Sequence, residues 1–290
     1  KMAGYLMDEL PAGSQGVIIC GKGNNGGDGL VVARYLVQNG YKITVLFISG
    51  TDSLSPDADK NYKLLKKIAD QEGDQSGLTF IKGWQPDELG SHYDFSIDAM
   101  LGTGLDSNLR GDYPEAVNWL NKQNMPTFAV DIPTGLNSDD GHIMGSCTQA
   151  DKTFTFGTRK LGFYLSQGPD VSGDIIFCDL PFPIYLKRNH TRFLIDEKLL
   201  SKTSKYEQTI ARHKYEAGVV YIVAGSEGLT GAAIMAAKSA WAEGVGAVIL
   251  IAPKGIISTF EQILPQIIKK PVGKRKDHFF KETHLQEVLA

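Results

Sequence analysis

Short apolar runs alternate with segments of helical period along roughly the first 180 residues of the chain. The apolar runs predict buried strands at residues 17–20, 43–48, 78–81, 95–99, 127–131, 152–156 and 174–178. Helical spacing of apolar positions predicts helices at residues 1–10, 29–39, 55–69 and 113–122. Gly40 ends the second of these, and Ser55-Pro56 begins the third as an N-cap followed by a first-turn proline. This alternation predicts a mostly parallel sheet with helices on both faces.

The pattern changes after Pro183. Residues 187–216 are polar, rich in Lys, Arg, Ser and Thr, and have no strong period. The alternation then restarts with a strand at 219–224, a helix that ends at Ala242 and a strand at 247–251. We therefore expect two domains, residues 1–187 and residues 188–290, the second stopping soon after two strands.

Composition narrows the class of protein. The chain is 42% hydrophobic and 22% charged, and 30 basic against 33 acidic residues give a net charge of −3. Such values are ordinary for a globular protein with a substantial core. The charge balance argues against nucleic acid or an anionic membrane as a partner. No apolar run approaches the roughly 18 residues of a transmembrane helix.

The cysteines and the N-terminal residues indicate a cytoplasmic protein. Cys20, Cys147 and Cys178 are odd in number and far apart, with no metal-ligand spacing, so they are expected to be reduced thiols. Residues 1–4 contain no apolar signal core. Metal-ligand spacing is also absent from the six histidines, which are His92, His142, His190, His213, His278 and His284.

The most informative segment is the glycine-rich run at residues 21–29, Gly-Lys-Gly-Asn-Asn-Gly-Gly-Asp-Gly. It follows a predicted strand and opens a helix, so its backbone N–H groups are expected to attract an anion. It satisfies the dinucleotide pattern G-x-G-x-x-G literally, but the second strand is followed by no carboxylate before Asp52 to hold a ribose. A tight strand-to-helix turn without a ligand is the alternative.

Two further loops follow predicted strands of the same sheet. One runs from Asp98 to Gly104, and the other is Asp131-Ile132-Pro133-Thr134-Gly135. Oxygens of Asn25, Asp98 and Thr134 are of the type that holds a hard cation. Asp131 is an acid/base candidate. Lys160 is its candidate partner, although it could equally be a surface lysine. Each aspartate has the alternative of an ordinary turn or cap residue.

These three loops, in this order and spacing, resemble the signature loops of the NAD(P)H-hydrate epimerases over roughly residues 1–183. The resemblance implies a Rossmann-like three-layer α/β/α sandwich. It also implies interconversion of the R and S epimers of hydrated NADH or NADPH, a metabolite-repair reaction that requires a bound potassium ion.

The resemblance also assigns residues. It implies Asp131 and Lys160 as catalytic groups, and Asn25, Asp98 and Thr134 as potassium ligands; the family often has serine at the position of Thr134. Arg159 is less typical of the family's lysine segment. The implied substrate contacts are Asn24, Asn25, Gly26, Gly27, Asp28, Gly102, Thr103, Gly104, Leu105, Asp106, Ser107, Asn108 and Asp131.

The second domain resembles the start of the ribokinase-like NAD(P)H-hydrate dehydratases. The resemblance rests on His213-Lys214 and on the glycine-rich run at residues 224–233. It implies a partial ribokinase-like α/β unit, in which ADP or ATP serves only the full-length dehydratase. The later N-x-G-T-G-D segment of that family is not found in these 290 residues. We therefore expect no dehydratase activity from this chain alone, and a chain that is a piece of a longer bifunctional protein.

Two other functions stay open. The literal G-x-G-x-x-G pattern suggests a nicotinamide-dependent oxidoreductase, and the same fold could serve as a non-catalytic binding protein. The expected partner is a small molecule, the hydrate of NADH or NADPH, with no nucleic acid and no membrane. Folds of this kind commonly form homo-oligomers.

Overall fold

The computed structural model describes residues 1–90, 92–183, 185, 192–203 and 217–289. The chain divides into two compact units, Lys1–Thr191 and Arg192–Ala290. The predicted boundary between residues 187 and 188 lies outside the described residues. His190, His213 and Lys214 lie outside them as well.

The first unit is built on a sheet of seven strands in the order β3-β2-β1-β4-β5-β6-β7. All neighbouring strands pair in parallel. The strands are β1 Gln15–Cys20, β2 Lys42–Phe47, β3 Leu78–Lys82, β4 Phe95–Ala99, β5 Thr127–Val130, β6 Lys152–Phe156 and β7 Asp174–Cys178. The mostly parallel sheet and its strands are therefore confirmed, with small differences at the strand ends.

The strand order contains one reversal point. From β1 the chain adds β2 and β3 on one side, and it then returns to place β4 on the other side of β1. The loops that leave β1, β4 and β5 therefore lie at the carboxyl edge of the sheet, beside this reversal of strand order. Ligands of open parallel sheets bind at such a switch point.

The helices of the first unit are α1 Met2–Glu9, α2 Asn24–Gln38, α3 Pro56–Glu72, α4 Tyr113–Lys122 and α5 Gly168–Val171. Ser55 caps α3, because its side-chain oxygen accepts a hydrogen bond from the backbone N–H of Ala58 at 3.4 Å. Pro56 occupies the first turn, as predicted.

Both faces of the sheet are buried, which confirms the three-layer arrangement. Ile18 and Cys20 of β1 lie in a core shared with side chains of α1, α2 and α3. Val17 and Ile19 belong to a second core, which includes Ala116, Val117 and Leu120 of α4. Alternate residues of a strand point to opposite faces, so near-continuous apolar runs are what a sheet covered on both sides requires.

The start of α2 differs from the prediction. The helix begins at Asn24, whereas the apolar spacing predicted a start at Gly29. The glycines in this turn are poor helix formers, so the apolar spacing did not indicate that the helix begins here. They are required by packing, since a Cβ at Gly29 would lie 2.4 Å from the Cβ of Ala99. The polar residues Asn24 to Asp28 are therefore helical rather than part of a loop.

The second unit contains a sheet of three parallel strands in the order β10-β9-β8. The described elements are α6 Glu197–Thr203, β8 Val219–Val223, α7 Thr230–Ala242, β9 Ala247–Pro253, α8 Ile257–Ile263, β10 Ile268–Val272 and α9 Leu285–Leu289. The expectation that the unit stops soon after two strands is wrong. Lys269, Lys270 and Pro271 interrupt the apolar pattern of β10. Among the described strands, β10 pairs with β9 alone, and an edge strand tolerates a proline.

Among the described helices, none is long and apolar enough to cross a membrane. The three cysteines, Cys20, Cys147 and Cys178, are free thiols and all are buried.

Candidate active site at the switch point

The glycine-rich turn joins the ends of β1 and β4. The backbone N–H of Gly21 donates a hydrogen bond to the carbonyl of Ala99 at 3.0 Å. A Cβ at Gly21 would lie 1.9 Å from the carbonyl oxygen of Met100, and one at Gly26 would lie 1.9 Å from the carbonyl oxygen of Gly21. Only glycine fits at these two positions, so the turn brings the loops after β1 and β4 into direct contact.

The N-terminus of α2 lies at this edge of the sheet, directly after β1, and has no side-chain cap. Gly23 is the N-cap residue, with an extended backbone, and no side chain accepts from the first turn. The first N–H groups of a helix lack partners within the helix and carry partial positive charge, so they favour an anionic ligand. Asn24 and Asp28 are exposed here, whereas Asn25, Gly26 and Gly27 are buried.

A buried carboxylate lies at the end of β4. Asp98 is fully buried and accepts hydrogen bonds from the N–H of Thr134 at 2.8 Å, from the Thr134 hydroxyl at 2.7 Å and from the N–H of Met100 at 3.1 Å. The Thr134 oxygen also accepts from the N–H of Leu101 at 3.0 Å. Burial raises the pKa of Asp98, and the hydrogen bonds from Thr134 and Met100 oppose that rise.

The third predicted cation ligand, Asn25, lies close to this cluster's loop. Asn25 is buried, and its side-chain nitrogen has no hydrogen-bond partner. A Cβ at Gly102 would lie 3.5 Å from the side-chain oxygen of Asn25. Amide nitrogen and oxygen are exchangeable by a flip, so an unpartnered buried amide is an available oxygen donor. No basic side chain pairs with Asp98 in the part of the chain that is described.

This donor set suits a hard cation. A carboxylate, a hydroxyl and an amide are hard oxygen ligands, which suit a hard cation better than a transition metal. Within the described ranges, no three His, Cys, Asp or Glu side chains come together as a metal cluster.

Asp131 and Lys160 form an ion pair at the ends of β5 and β6. The Lys160 ammonium donates to Oδ1 of Asp131, to the hydroxyl of Thr155 at 2.8 Å and to the carbonyl of Phe156 at 3.3 Å. The Lys160 side chain is 10% exposed and that of Asp131 is 20% exposed. The structure therefore brings together the two residues that the sequence paired, and Lys160 is not a surface lysine.

The backbone of Asp131 is in the left-handed region, with φ at 66°. The residue thus lies one position beyond β5, although the prediction placed it within the strand. Its N–H donates to the carbonyl of Phe154 at 2.8 Å, and its Oδ1 accepts from the N–H of Phe156 at 3.2 Å. A non-glycine residue in this region costs energy, and such strain is concentrated at functional positions.

Asp28 carries a perturbed carboxyl group. Although the residue is exposed, its carboxyl group is partly shielded from solvent, and this loss of solvent together with the negative charges of Asp131 and Asp57 raises the pKa of Asp28 to about 6. Asp28 extends from α2 and Asp131 follows β5, and the helix α2 packs against β5. The negative charge of Asp131 is thus one cause of the raised pKa of Asp28.

The loop after β4, which the sequence predicts to contact the substrate, makes few contacts with the other predicted site residues. Gly102 lies beside Asn25. Exposed or half-exposed residues make up the rest of the predicted contact loop, Thr103, Gly104, Leu105, Asp106, Ser107 and Asn108. Among the described residues, no side-chain hydrogen bond joins residues 103–108 to Asp28 or Asp131. These residues remain predicted substrate contacts.

Sequence reasoning missed Thr155, the Phe156 carbonyl and Asp57. Thr155 is buried near the end of β6, and its position in an apolar strand was the available signal. The Phe156 carbonyl has no signature in a sequence. Asp57 lies in the first turn of α3, where an acidic residue is ordinary.

The glycine-rich turn of the second unit is a packing feature. Gly225 has φ at 103°, and a Cβ there would lie 2.9 Å from the ring of Phe260 in α8. Phe260 is fully buried in a core with Ala233, Ala237 and Leu250. The turn thus lets β8 and α8 approach closely.

The chain matches two protein families. The family described as YjeF-related protein N-terminus matches residues 1–162, and the family described as NAD(P)H-hydrate dehydratase matches residues 220–290.

Relatives are about one third identical to the chain over the aligned residues. The bifunctional NAD(P)H-hydrate repair enzyme Nnr of Salinibacter ruber is 34% identical over 278 residues, which are 90% of this chain and 50% of the relative. The enzyme of the same name from Moorella thermoacetica is 34% identical over 265 residues, 89% of this chain and 49% of the relative. The enzyme of the same name from Dictyoglomus turgidum is 33% identical over 281 residues, which are 94% of this chain and 52% of the relative. The chain thus spans about half the length of these curated relatives.

The crystal structure of yeast ynu0 is 20% identical to the chain, with a TM-score of 0.48, and the match covers 59% of this chain and 72% of the yeast chain.

Proposed function

The chain belongs to the YjeF-related family, and on that premise we propose that its first unit epimerises the hydrates of NADH and NADPH. The relatives that support this are named bifunctional NAD(P)H-hydrate repair enzymes. The observation that carries the proposal is the Asp131–Lys160 ion pair, in which Asp131 has a left-handed backbone, at the same edge of the sheet as the uncapped N-terminus of α2.

The site contains the two parts that this reaction needs. The substrate is a dinucleotide, and the uncapped N–H groups of α2 would bind its pyrophosphate, with Asn24 and the loop from Gly102 to Asn108 contacting the sugars. The reacting carbon of the hydrate bears a hydroxyl and adjoins the ring nitrogen. Inversion at this carbon releases the hydroxyl and adds it from the other face, which requires acid and base groups.

Asp131 meets the requirements of one such group. Its Oδ1 is held by Lys160 and by the N–H of Phe156. In the described residues its Oδ2 has no hydrogen-bond partner, so this oxygen is available to a substrate. General acid or base catalysis by one positioned group typically contributes about 10²–10⁴-fold to a rate.

Asn25, Asp98 and Thr134 would hold the potassium ion. A bound ion there supplies a fixed positive charge that neutralises the buried Asp98 carboxylate and helps to retain an anionic substrate. The residues themselves connect the three loops, because Thr134 bonds to Asp98 and Leu101, and Asn25 lies beside Gly102. They would thus set the relative positions of α2 and the loops after β4 and β5.

For the second unit we propose a dehydratase fold segment without independent activity. The match to the dehydratase family over residues 220–290 supports the fold, and ADP or ATP would serve a full-length dehydratase. The N-x-G-T-G-D segment is not among the 290 residues. The three buried free thiols suit a reducing compartment, which favours a cytoplasmic location.

The site argues against an oxidoreductase. A dinucleotide-binding Rossmann site uses a carboxylate at the end of its second strand to hold the ribose. Here β2 ends at Phe47, and Ile48 and Ser49 follow. Incubation with NADH and a panel of carbonyl compounds is expected to show no oxidation of NADH at 340 nm.

The proposal is tested by supplying one purified epimer of the NADH hydrate and following the ratio of the two epimers by chromatography. The chain should bring the epimers to equilibrium much faster than buffer. Asp131→Asn should slow this by at least about 100-fold, since it removes an acid/base group. Asp139→Asn, an exposed residue of the next turn, is the matched control and should behave as the unchanged chain. Unchanged epimerisation in Asp131→Asn would overturn the assignment.

A further inference from the structure

A fourth oxygen group lies at the Asp98–Thr134 cluster, outside the three loops that the sequence singled out. Thr148 is fully buried, and within the described part of the chain its hydroxyl has no hydrogen-bond partner. Leaving a buried hydroxyl without a partner is unfavourable, so such a group in a native fold calls for an explanation.

The backbone places Thr148 beside Thr134. The N–H of Thr148 donates a hydrogen bond to the carbonyl of Thr134 at 2.9 Å. A Cβ at Gly135 would lie 1.9 Å from the carbonyl oxygen of Ser146 and 2.8 Å from the Cα of Cys147. The segment of residues 146–148 therefore packs directly against the loop after β5.

Asn121 of α4 holds the same segment through its side-chain amide. Its Nδ2 donates to the carbonyl of Cys147 at 2.9 Å, and its Oδ1 accepts from the N–H of Gln149 at 2.8 Å. The amide thus pairs with the residues on either side of Thr148, as the backbone of a neighbouring strand would. Thr148 is therefore fixed both by α4 and by the loop after β5.

The segment also lies close to the buried carboxylate. Burial raises the pKa of Asp98, and the Thr148 side chain is among the groups that oppose this rise. Burial raises the pKa of the Cys147 thiol as well, and the charge of Asp98 adds to that effect. The Thr148 hydroxyl thus lies beside the carboxylate but outside the three hydrogen bonds that Asp98 accepts from Thr134 and Met100.

The oxygen set predicted for the cation has room for another member. Asn25, Asp98 and Thr134 supply three side chains, whereas hard cations such as calcium take about six to eight oxygen ligands in proteins. A hydroxyl oxygen has two lone pairs with which it can accept. The unpartnered hydroxyl of Thr148 therefore suits a cation bound at this carboxylate.

We propose that the hydroxyl of Thr148 is a fourth side-chain ligand of the proposed potassium site, and that Asn121 is a positioning residue for it. This inference rests on the cation site of the proposed function and extends that site beyond the three loops.

The test is thermal unfolding in a titration of potassium chloride against sodium chloride at constant ionic strength, which requires no substrate. Thr148→Val keeps the shape of the side chain and removes the hydroxyl. In sodium this variant should be at least as stable as the unchanged chain, because an unpartnered buried hydroxyl is lost. Its stabilisation by potassium should require at least about tenfold more of the ion, since a partner at a metal site typically contributes about 10–100-fold to affinity. Thr148→Ser retains the hydroxyl and should respond nearly as the unchanged chain does.

Two further variants separate a ligand from a packing residue. Asn121→Ala leaves every proposed ligand in place but frees the segment around Thr148, so it should raise the required potassium concentration by less than Thr148→Val does. Ser172→Ala is the matched control, because Ser172 is also buried with an unpartnered hydroxyl but lies just before β7, at the opposite edge of the sheet. It should keep the potassium response of the unchanged chain.

The proposal is overturned if Thr148→Val responds to the same potassium concentrations as the unchanged chain, or if it loses the same stability in both salts. Should Thr148→Val not fold, Asn121→Ala decides, and an unchanged potassium response there would count against the proposal. If the unchanged chain does not distinguish potassium from sodium, the cation site fails and this ligand fails with it. Failure of the chain to interconvert the epimers is a separate result, which concerns the proposed function and is measured in the chromatographic assay.

Discussion

The backbone N–H and the hydroxyl of Thr134 both donate hydrogen bonds to the buried carboxylate of Asp98, at 2.8 and 2.7 Å. Asp98 is the last residue but one of β4, and Thr134 lies in the loop after β5. The pair thus holds the loops after two neighbouring strands at one edge of the sheet. A buried carboxylate is costly unless such bonds satisfy it.

Thr134→Ala should destabilise the first unit by about 1–3 kcal/mol, because it leaves one oxygen of the buried Asp98 without its hydroxyl donor. Thr134→Ser retains the hydroxyl and should lose less than half of that amount. The free energy of unfolding in urea at pH 7 measures both. Equal stability of Thr134→Ala and the unchanged chain would contradict the described role of the pair.

Potassium should stabilise the protein more than sodium at the same ionic strength, because only a ligand that binds the folded state raises its unfolding temperature. The expected shift saturates with potassium concentration. It should be absent in Asp98→Asn and in Thr134→Ala, which remove a charge and an oxygen from the proposed ligand set. Identical thermal shifts in the two salts for the unchanged chain would contradict the potassium site, with no need for an activity assay.

Gly26→Ala and Gly4→Ala should have opposite effects, although both positions are helical. Alanine is normally the better helix former by up to about 1 kcal/mol. A Cβ at Gly26 would lie 1.9 Å from the Gly21 carbonyl, whereas one at Gly4 meets nothing within 4 Å. Gly26→Ala should therefore cost at least about 1–3 kcal/mol, and Gly4→Ala should be neutral or stabilising. Thermal and urea unfolding of the two variants distinguish these outcomes.

The raised pKa of Asp28 should make its contribution to stability fall as pH rises. The folded state holds the proton up to about pH 6, while the unfolded state releases it near its ordinary value of 3.8. The contribution is therefore present below pH 3.8 and is lost as pH rises through 6. Since the side chain is exposed, the effect is limited to about 1 kcal/mol or less.

Asp28→Asn removes this effect. Relative to the unchanged chain, the variant should gain stability as pH rises from 3.8 to about 6 and keep that gain at higher pH, whereas Asp87→Asn should show no such trend. Urea unfolding at a series of pH values provides the comparison. A stability difference that is independent of pH would show that Asp28 is not held in its protonated form.

The sequence predicted most of the fold because parallel strands that are covered on both faces must be almost continuously apolar. Val17 to Cys20 is such a run, and its alternate residues enter the two cores. The prediction failed where packing overrides local preference. The glycines of α2 hid its first turn, and Lys269, Lys270 and Pro271 hid β10, whose edge position tolerates them.

The sequence was sufficient to predict which loops form the candidate site. Asp98, Asp131 and the glycine-rich turn follow strands of one parallel sheet, so they had to lie at one edge. The contacts of Lys160 and the backbone of Asp131 were not predictable. The three hydrogen bonds of the Lys160 ammonium and the left-handed backbone at Asp131 depend on tertiary structure and have no signature in the sequence.

The most direct test of the central claim is the epimer ratio itself. A single purified epimer of the NADH hydrate is incubated with this chain, and both epimers are quantified by chromatography over time in potassium and in sodium buffer. We predict rapid equilibration of the two epimers in potassium and slower equilibration in sodium. No change of the ratio in either salt, with a folded protein, would contradict epimerisation and leave a non-catalytic binding role.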